Sequence, residues 1–199
     1  MTKITPAAKW LVLILLVGAA AAATFYCDTP VRAFVAAHRD RSFIQFMRLV
    51  SRFGDWPEHV AAGLLIAAIA FSCGSQRWMR IGLTIIVALA LAGVVARCLK
   101  IATARARPTV HREMISEVSR FRSKYNSFPS GHAAVTMAAF GVILFTKRRL
   151  GILLLPVPIL IASSRIFVAA HYFSDVICGA ILGIFCAWLC AHWLFAREN

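Results

Sequence analysis

The chain has 199 residues, 60% of them apolar and 15% charged, a balance that a water-soluble domain of this length could not hide in one core. Lysine and arginine number 22 against eight acidic residues, a net charge of +14. On so apolar a chain that excess fits anionic headgroups or a phosphorylated substrate better than nucleic acid, and the composition excludes a soluble enzyme.

Six stretches have the length expected of a helix crossing the hydrocarbon: Trp10 to Tyr26, Pro57 to Cys73, Ile81 to Leu99, Gly131 to Thr146, Leu150 to Ala169 and Asp175 to Ala196. No Gly/Ser-rich linker or repeat interrupts them, so residues 1–199 are expected to form one all-α, membrane-embedded six-helix bundle. Lys3 and Lys9 followed by Leu11 to Val17 and Ala19 to Ala23 have the form of a secretory signal. The apolar run continues through Phe25 and Tyr26, which favours an uncleaved anchor.

Residues 30–56 mix Val31, Phe34, Val35, Phe43, Phe46, Met47 and Val50 with arginines, as an amphipathic helix lying along the headgroups does. Such a helix could guide a lipid or simply form a lid on the bundle. Gly54-Asp55-Trp56-Pro57 then reads as a turn into the second span. Lys3, Lys9, Arg77, Arg80, Lys147, Arg148, Arg149 and Arg197 fall on one side and place both termini in the cytoplasm. Arg32, Arg39, Arg41, Arg48 and Arg52 on the other side dilute that rule. The six cysteines show no zinc spacing, and a Cys27–Cys98 disulfide is geometrically open.

Polar chemistry gathers in three clusters at span ends. In the first, Lys100 and Arg107-Pro108 stand seven residues apart, two helical turns, with Pro108 ending the helix and freeing two long cations to converge on an anion. The second is Phe128-Pro129-Ser130-Gly131-His132. Ser130 is a natural N-cap, Gly131 lets a ligand approach the backbone, and the free N–H groups of the first turn make a phosphate cradle beside His132, a possible proton donor or acceptor.

The third cluster is Ser164-Arg165, His171 and Asp175. Spacing of i and i+4 allows the Asp175 carboxylate to reach the His171 imidazole, fix its tautomer and leave one nitrogen as a directed nucleophile, while Arg165 offers a bidentate clamp. Taken singly, each cluster also has an ordinary structural reading: cations snorkelling to lipid phosphates, a helix cap, an interfacial ion pair. The first two clusters bracket the loop between the third and fourth spans and the third brackets the turn between the fifth and sixth. Those connections are two crossings apart and must share a face.

These residues resemble the type 2 phosphatidic acid phosphatases, whose motifs are K-x6-R-P, P-S-G-H and S-R-x5-H-x3-D. Lys100 to Pro108, Pro129 to His132 and Ser164 to Asp175 match every signature position. The resemblance implies a phosphohistidine formed on His171, Asp175 as its orienting partner, and His132 as the acid for the leaving oxygen. It further implies Lys100, Arg107, Ser130, Gly131 and Arg165 as phosphate binders.

No cofactor is expected, and no metal: the chain has only eight acids, and Asp175 alone falls within the clusters, so magnesium would lack carboxylates. Vanadate, as a phosphate mimic, is expected to inhibit. The expected partner is a phosphorylated lipid of a bacterial inner membrane, met on the periplasmic or exterior face. The resemblance implies as candidate substrates lipid A 1-phosphate, undecaprenyl diphosphate, phosphatidylglycerol phosphate and phosphatidic acid. A lipid transporter or a non-catalytic scaffold would not require the paired His171 and Asp175. In the connecting loop, Arg112, Glu113, Glu117, Arg120, Arg122 and Lys124 could select a headgroup or form a solvated surface.

Overall fold

The computed structural model describes residues 5–110 and 121–195, and among them every regular element is helical. The α-helices are α1 (Pro6–Thr24), α2 (Asp28–Ala37), α3 (Arg41–Arg52), α4 (Trp56–Ser72), α5 (Gln76–Thr103), α6 (Gly131–Thr146), α7 (Arg148–Leu154), α8 (Pro156–Phe167) and α9 (Phe173–Phe195).

Among the described residues four helical stretches are long and apolar enough to cross a membrane: Trp10–Ala37, Gln76–Thr103, Arg148–Phe167 and Phe173–Phe195. The apolar helices α4 and α6 are shorter, at 17 and 16 residues. Together they give the expected multi-pass helical bundle. Its core lies where α5, α6 and α9 meet through Ile85, Ala88, Leu89, Ala92, Ala134, Ala138, Val142, Cys186 and Ala187.

α6 and α9 approach unusually closely. A Cβ on Gly183 would lie 2.2 Å from the Ala134 carbonyl oxygen, and one on Gly179 would lie 2.5 Å from that of Ser130. Glycine at both positions lets two backbones touch, as small residues do between membrane helices, and it sets the start of α6 against the start of α9.

α1 contributes little to this core. Leu11 through Leu16 are exposed and form a lipid-facing surface, with contact to α9 at Trp10 and Trp188, whose rings lie 5.8 Å apart.

Three expected boundaries change. The segment after the first span is two helices rather than one: a 3-10 turn over Phe25–Cys27 carries α1 into α2, and α3 starts afresh where the Asp40 carboxylate caps the Phe43 N–H at 2.8 Å. The fifth span is broken, because Pro156 has no N–H to return to Ile152; Leu155 N–H closes the turn there instead, at 3.3 Å. α5 extends past its apolar run to Thr103 and so includes Lys100. Cys27 and Cys98 are both exposed, free thiols. Arg112, Glu113, Glu117 and Arg120 lie outside the described residues, whereas Arg122 and Lys124 are exposed.

Candidate active site

The C-terminal ends of α5 and α8 and the N-terminal ends of α6 and α9 come together at one end of the bundle, and with them all three clusters. Backbone hydrogen bonds stitch the connecting strands of chain. Ser127 N–H donates to Arg105 O at 3.0 Å, Arg107 N–H to Lys124 O at 2.9 Å, and Ser130 N–H to Asp175 O at 2.9 Å. Tyr125, Asn126, Ser127, Pro129 and Ser130 are buried, so this irregular backbone is enclosed by protein, the condition under which it is tolerated at membrane depth. Two alanines in the left-handed region adjoin the site, Ala104 (φ 45°) after α5 and Ala169 (φ 55°) just before His171. Such conformations cost energy in a residue with a Cβ and persist where the surrounding fold holds them.

His171 is 3% exposed. Its Nδ1 lies 2.7 Å from the Ser127 carbonyl oxygen and 3.7 Å from Asp175 Oδ2. The expected tautomer-fixing bond from Asp175 is therefore replaced: a carbonyl can only accept, so Nδ1 carries the proton and Nε2 keeps the lone pair. Asp175 acts on the ring through charge. Burial lowers the His171 pKa to about 4, with Lys100 and Arg165 adding to the effect and Asp175 opposing it. The imidazole is thus held neutral at ordinary pH, with the Nε2 lone pair free.

Asp175 is fully buried and fully engaged. Its Oδ2 accepts from Ser127 Oγ at 2.5 Å and Tyr172 N–H at 2.9 Å, and its Oδ1 from Arg105 Nη1 at 2.6 Å. His132, in the first turn of α6, places Nε2 3.0 Å from Asp55 Oδ1. The chain comes this near because residue 54 is glycine: a Cβ there would sit 2.9 Å from His132 Cδ2.

Ser130 caps α6, its Oγ accepting from Ala133 N–H at 3.4 Å. At Gly131 an added Cβ would stand 3.7 Å from Lys100 Cε, so the glycine keeps the α6 N-terminus open beside that cation. Lys100 Nζ donates to Asn126 O at 2.8 Å, which leaves two of its three protons for an anion. Arg165 donates from Nη1 to Ser51 Oγ on α3. The Nε atoms of Arg107 and Arg165 are buried and donate to no group among the described residues, an expensive arrangement that an oxyanion between the two guanidiniums would relieve. Burial also pulls the Arg107 guanidinium below its ordinary pKa, against the pull of Asp175.

Several partners escaped the sequence reading. Arg105 Nη2 donates to Asp28 Oδ2 at 2.7 Å, and its guanidinium lies 4.3 Å from the Tyr172 ring centroid. Asp28 also accepts from Ser174 N–H at 2.8 Å and Ser174 Oγ at 2.7 Å. The expectation that Asp175 is the sole acid at the clusters is therefore corrected: Asp28 and Asp55 belong to the site as well. Their scarcity was the available signal, since an acid beside a span is rarely left unpaired. Ser51 and Ser127 carried none.

Two cavities open on the site. One, of about 310 Å³, is lined by His171, Asp28, Arg32 and Pro108. The other, of about 560 Å³, runs between α4, α5 and α6 from Lys100, Gly131 and His132 down to Ile86.

These features make a pocket that can hold an oxyanion, with a histidine held neutral at its centre. The PAP2 superfamily matches residues 81–199, and the chain belongs to that family. It is similar to a lipid A 1-phosphatase of Rhizobium etli, 28% identical over 193 residues, covering 89% of this chain and 82% of that protein. Against a lipid A 1-phosphatase of Rhizobium johnstonii it is 33% identical over 120 residues, covering 59% of this chain but only 49% of that protein. In fold it is similar to a transmembrane PAP2 type phosphatidylglycerolphosphate phosphatase from Bacillus subtilis, with a TM-score of 0.72 at 20% identity, covering 94% of this chain and 96% of that one.

Proposed function

We propose that the protein is a metal-independent phosphatase of a bacterial inner membrane. In this reading it removes the terminal phosphate of an envelope lipid at the periplasmic or exterior face through a phosphohistidine on His171. The observation that carries the reading is the bond from His171 Nδ1–H to Ser127 O at 2.7 Å, which leaves the Nε2 lone pair free in a pocket with Lys100, Arg107 and Arg165.

Lys100, Arg107 and Arg165 neutralise the phosphoryl oxygens, with the α6 N–H groups behind Ser130 and Gly131 adding donors. Nε2 attacks phosphorus and the P–O bond to the lipid breaks, its electron pair leaving on the lipid oxygen. His132, when protonated, gives that oxygen its proton, and Asp55 at 3.0 Å stabilises the charged ring. Asp175 offsets the positive charge that His171 acquires. Water then attacks the phosphohistidine and passes a proton back to His132, and the P–N bond electrons return to Nε2.

Among the substrates, lipid A 1-phosphate and undecaprenyl diphosphate come first, the former supported by the two Rhizobium relatives. The direct test is incubation of detergent-purified protein with phosphorylated lipids, scored for phosphate release and acid-labile label on His171. Activity should survive a strong chelator and be inhibited by vanadate. Activity lost to the chelator and restored by magnesium refutes the metal-free reading, and full activity in His171→Ala refutes the histidine mechanism.

A further inference from the structure

The larger cavity reaches the site from the side of His132, where the leaving oxygen is assigned. α5 contributes Ile86, Ala90, Gly93, Arg97 and Lys100 to its wall, a stripe at the three- and four-residue spacing of a single helix face. Arg97 follows Lys100 along this face, about 4.5 Å further from the reacting centre by helical rise.

Arg97 is exposed, yet its surroundings on this wall offer it no free carboxylate. The wall beyond it is apolar, and among the described residues the one carboxylate lining the cavity, Asp55, is occupied by His132. Among the described residues no acid pairs with Arg97. The wall beside it is also open, because a Cβ on Gly93 would meet only Val135 Cγ1, at 3.8 Å. An arginine near a span end commonly reaches for surrounding headgroups. Here it shares a concavity with Lys100 and His132, so an anion drawn to it lies inside the groove and next to the scissile bond.

We propose that Arg97 binds a phosphate retained on the leaving side of that bond, so that the site favours lipid diphosphates over lipid monophosphates and, of the two leading substrates, undecaprenyl diphosphate over lipid A 1-phosphate. This rests on the phosphohistidine reading of His171. Nε2 of His171 forms the bond to the terminal phosphorus, and the bridging P–O bond breaks with its electron pair on the retained phosphate. The charge gained there is shared between Arg97 and the proton of His132. Water then cleaves the P–N bond, giving inorganic phosphate and the lipid monophosphate. A guanidinium at the leaving group acts most strongly as the bridging bond breaks, so its contribution belongs largely to the transition state.

The test measures phosphate release by purified protein in neutral detergent, which excludes competing lipid phosphates. Two substrate pairs are used: farnesyl diphosphate with farnesyl monophosphate, and diacylglycerol diphosphate with phosphatidic acid. Wild type should prefer the diphosphate of at least one pair by about tenfold or more in kcat/KM. Arg97→Gln should lower diphosphate kcat/KM by about 30-fold, several times its effect on the monophosphate, and Arg97→Lys should recover part of the loss. Monophosphate preference in wild type overturns the proposal. So does an equal loss on both substrates with Arg97→Lys no better, the result expected of a bilayer anchor or a folding defect. If wild type releases phosphate from neither pair nor from lipid A, the phosphatase reading itself fails.

Discussion

Arg105 Nη1 donates to the fully buried Asp175 Oδ1 at 2.6 Å, and the same guanidinium holds Asp28 at the start of α2 at 2.7 Å. One arginine thus ties the start of α2 to the carboxylate that faces His171. Under the proposed phosphohistidine mechanism, Arg105 is a positioning residue, acting through Asp175 on His171. Removing one partner of a buried ion pair typically costs about 3–5 kcal/mol. Arg105→Ala should therefore lower the thermal midpoint in detergent and cut kcat by about 10²-fold with a smaller change in KM. Asp28→Asn keeps the shape of the contact and should cost less on both measures. An Arg105→Ala variant with wild-type kcat would remove Arg105 from the chemistry.

The six apolar stretches and the three clusters were legible because each rests on a local pattern. Lys100, Ser130, Gly131, His132, Arg165, His171 and Asp175 sit at helix ends that hydropathy alone locates. What was not legible was long range. Ser51 meets Arg165 across 114 positions of chain, and Asp28 meets Ser174 across 146. No periodicity reports such contacts. The i and i+4 spacing of His171 and Asp175 suggested a bond, yet the chain turns at His171 before α9 begins at Phe173. A carbonyl from the 121–130 segment reaches Nδ1 first. The break of the fifth span, by contrast, could have been read from Pro156 and Pro158.

His132 and its 3.0 Å contact with Asp55 make a prediction about leaving groups. A general acid matters in proportion to the basicity of the oxygen it protonates, and its loss typically costs about 10²–10⁴-fold. His132→Gln should cost that much with a lipid alcohol as leaving group. With p-nitrophenyl phosphate, whose leaving group departs unprotonated, the first step should lose far less. A single-turnover comparison of the two substrates reads the difference directly, and equal losses would take the acid role from His132.

Ser127 holds the site twice, with its carbonyl on His171 and its hydroxyl on Asp175 at 2.5 Å. Ser127→Ala removes only the second, so the Nε2 lone pair survives and kcat should fall by about tenfold. Asp175→Asn leaves shape but removes the charge facing the ring, and should cost about 10²–10⁴-fold in kcat. If Ser127→Ala is as damaging as Asp175→Asn, the hydroxyl orients the carboxylate and the carbonyl is secondary.

The pH dependence follows from the burial of His171. Its pKa is lowered from 6.5 to about 4, so the folded protein favours the neutral ring. Above 6.5 both folded and unfolded chains hold it neutral and nothing is lost. Between 6.5 and about 4 the unfolded chain takes up a proton that the folded one refuses, so this contribution to stability falls as pH falls through that window. Melting of the purified protein in detergent should therefore drop across this range, and less steeply in His171→Asn, which cannot titrate. The same shift places the acid limb of kcat/KM, corrected for ionisation of the substrate phosphate, well below 6.5 in the free enzyme. An acid limb at 6.5, with parallel melting profiles for the two proteins, would mean that His171 is hydrated and charged where the nucleophile must be neutral.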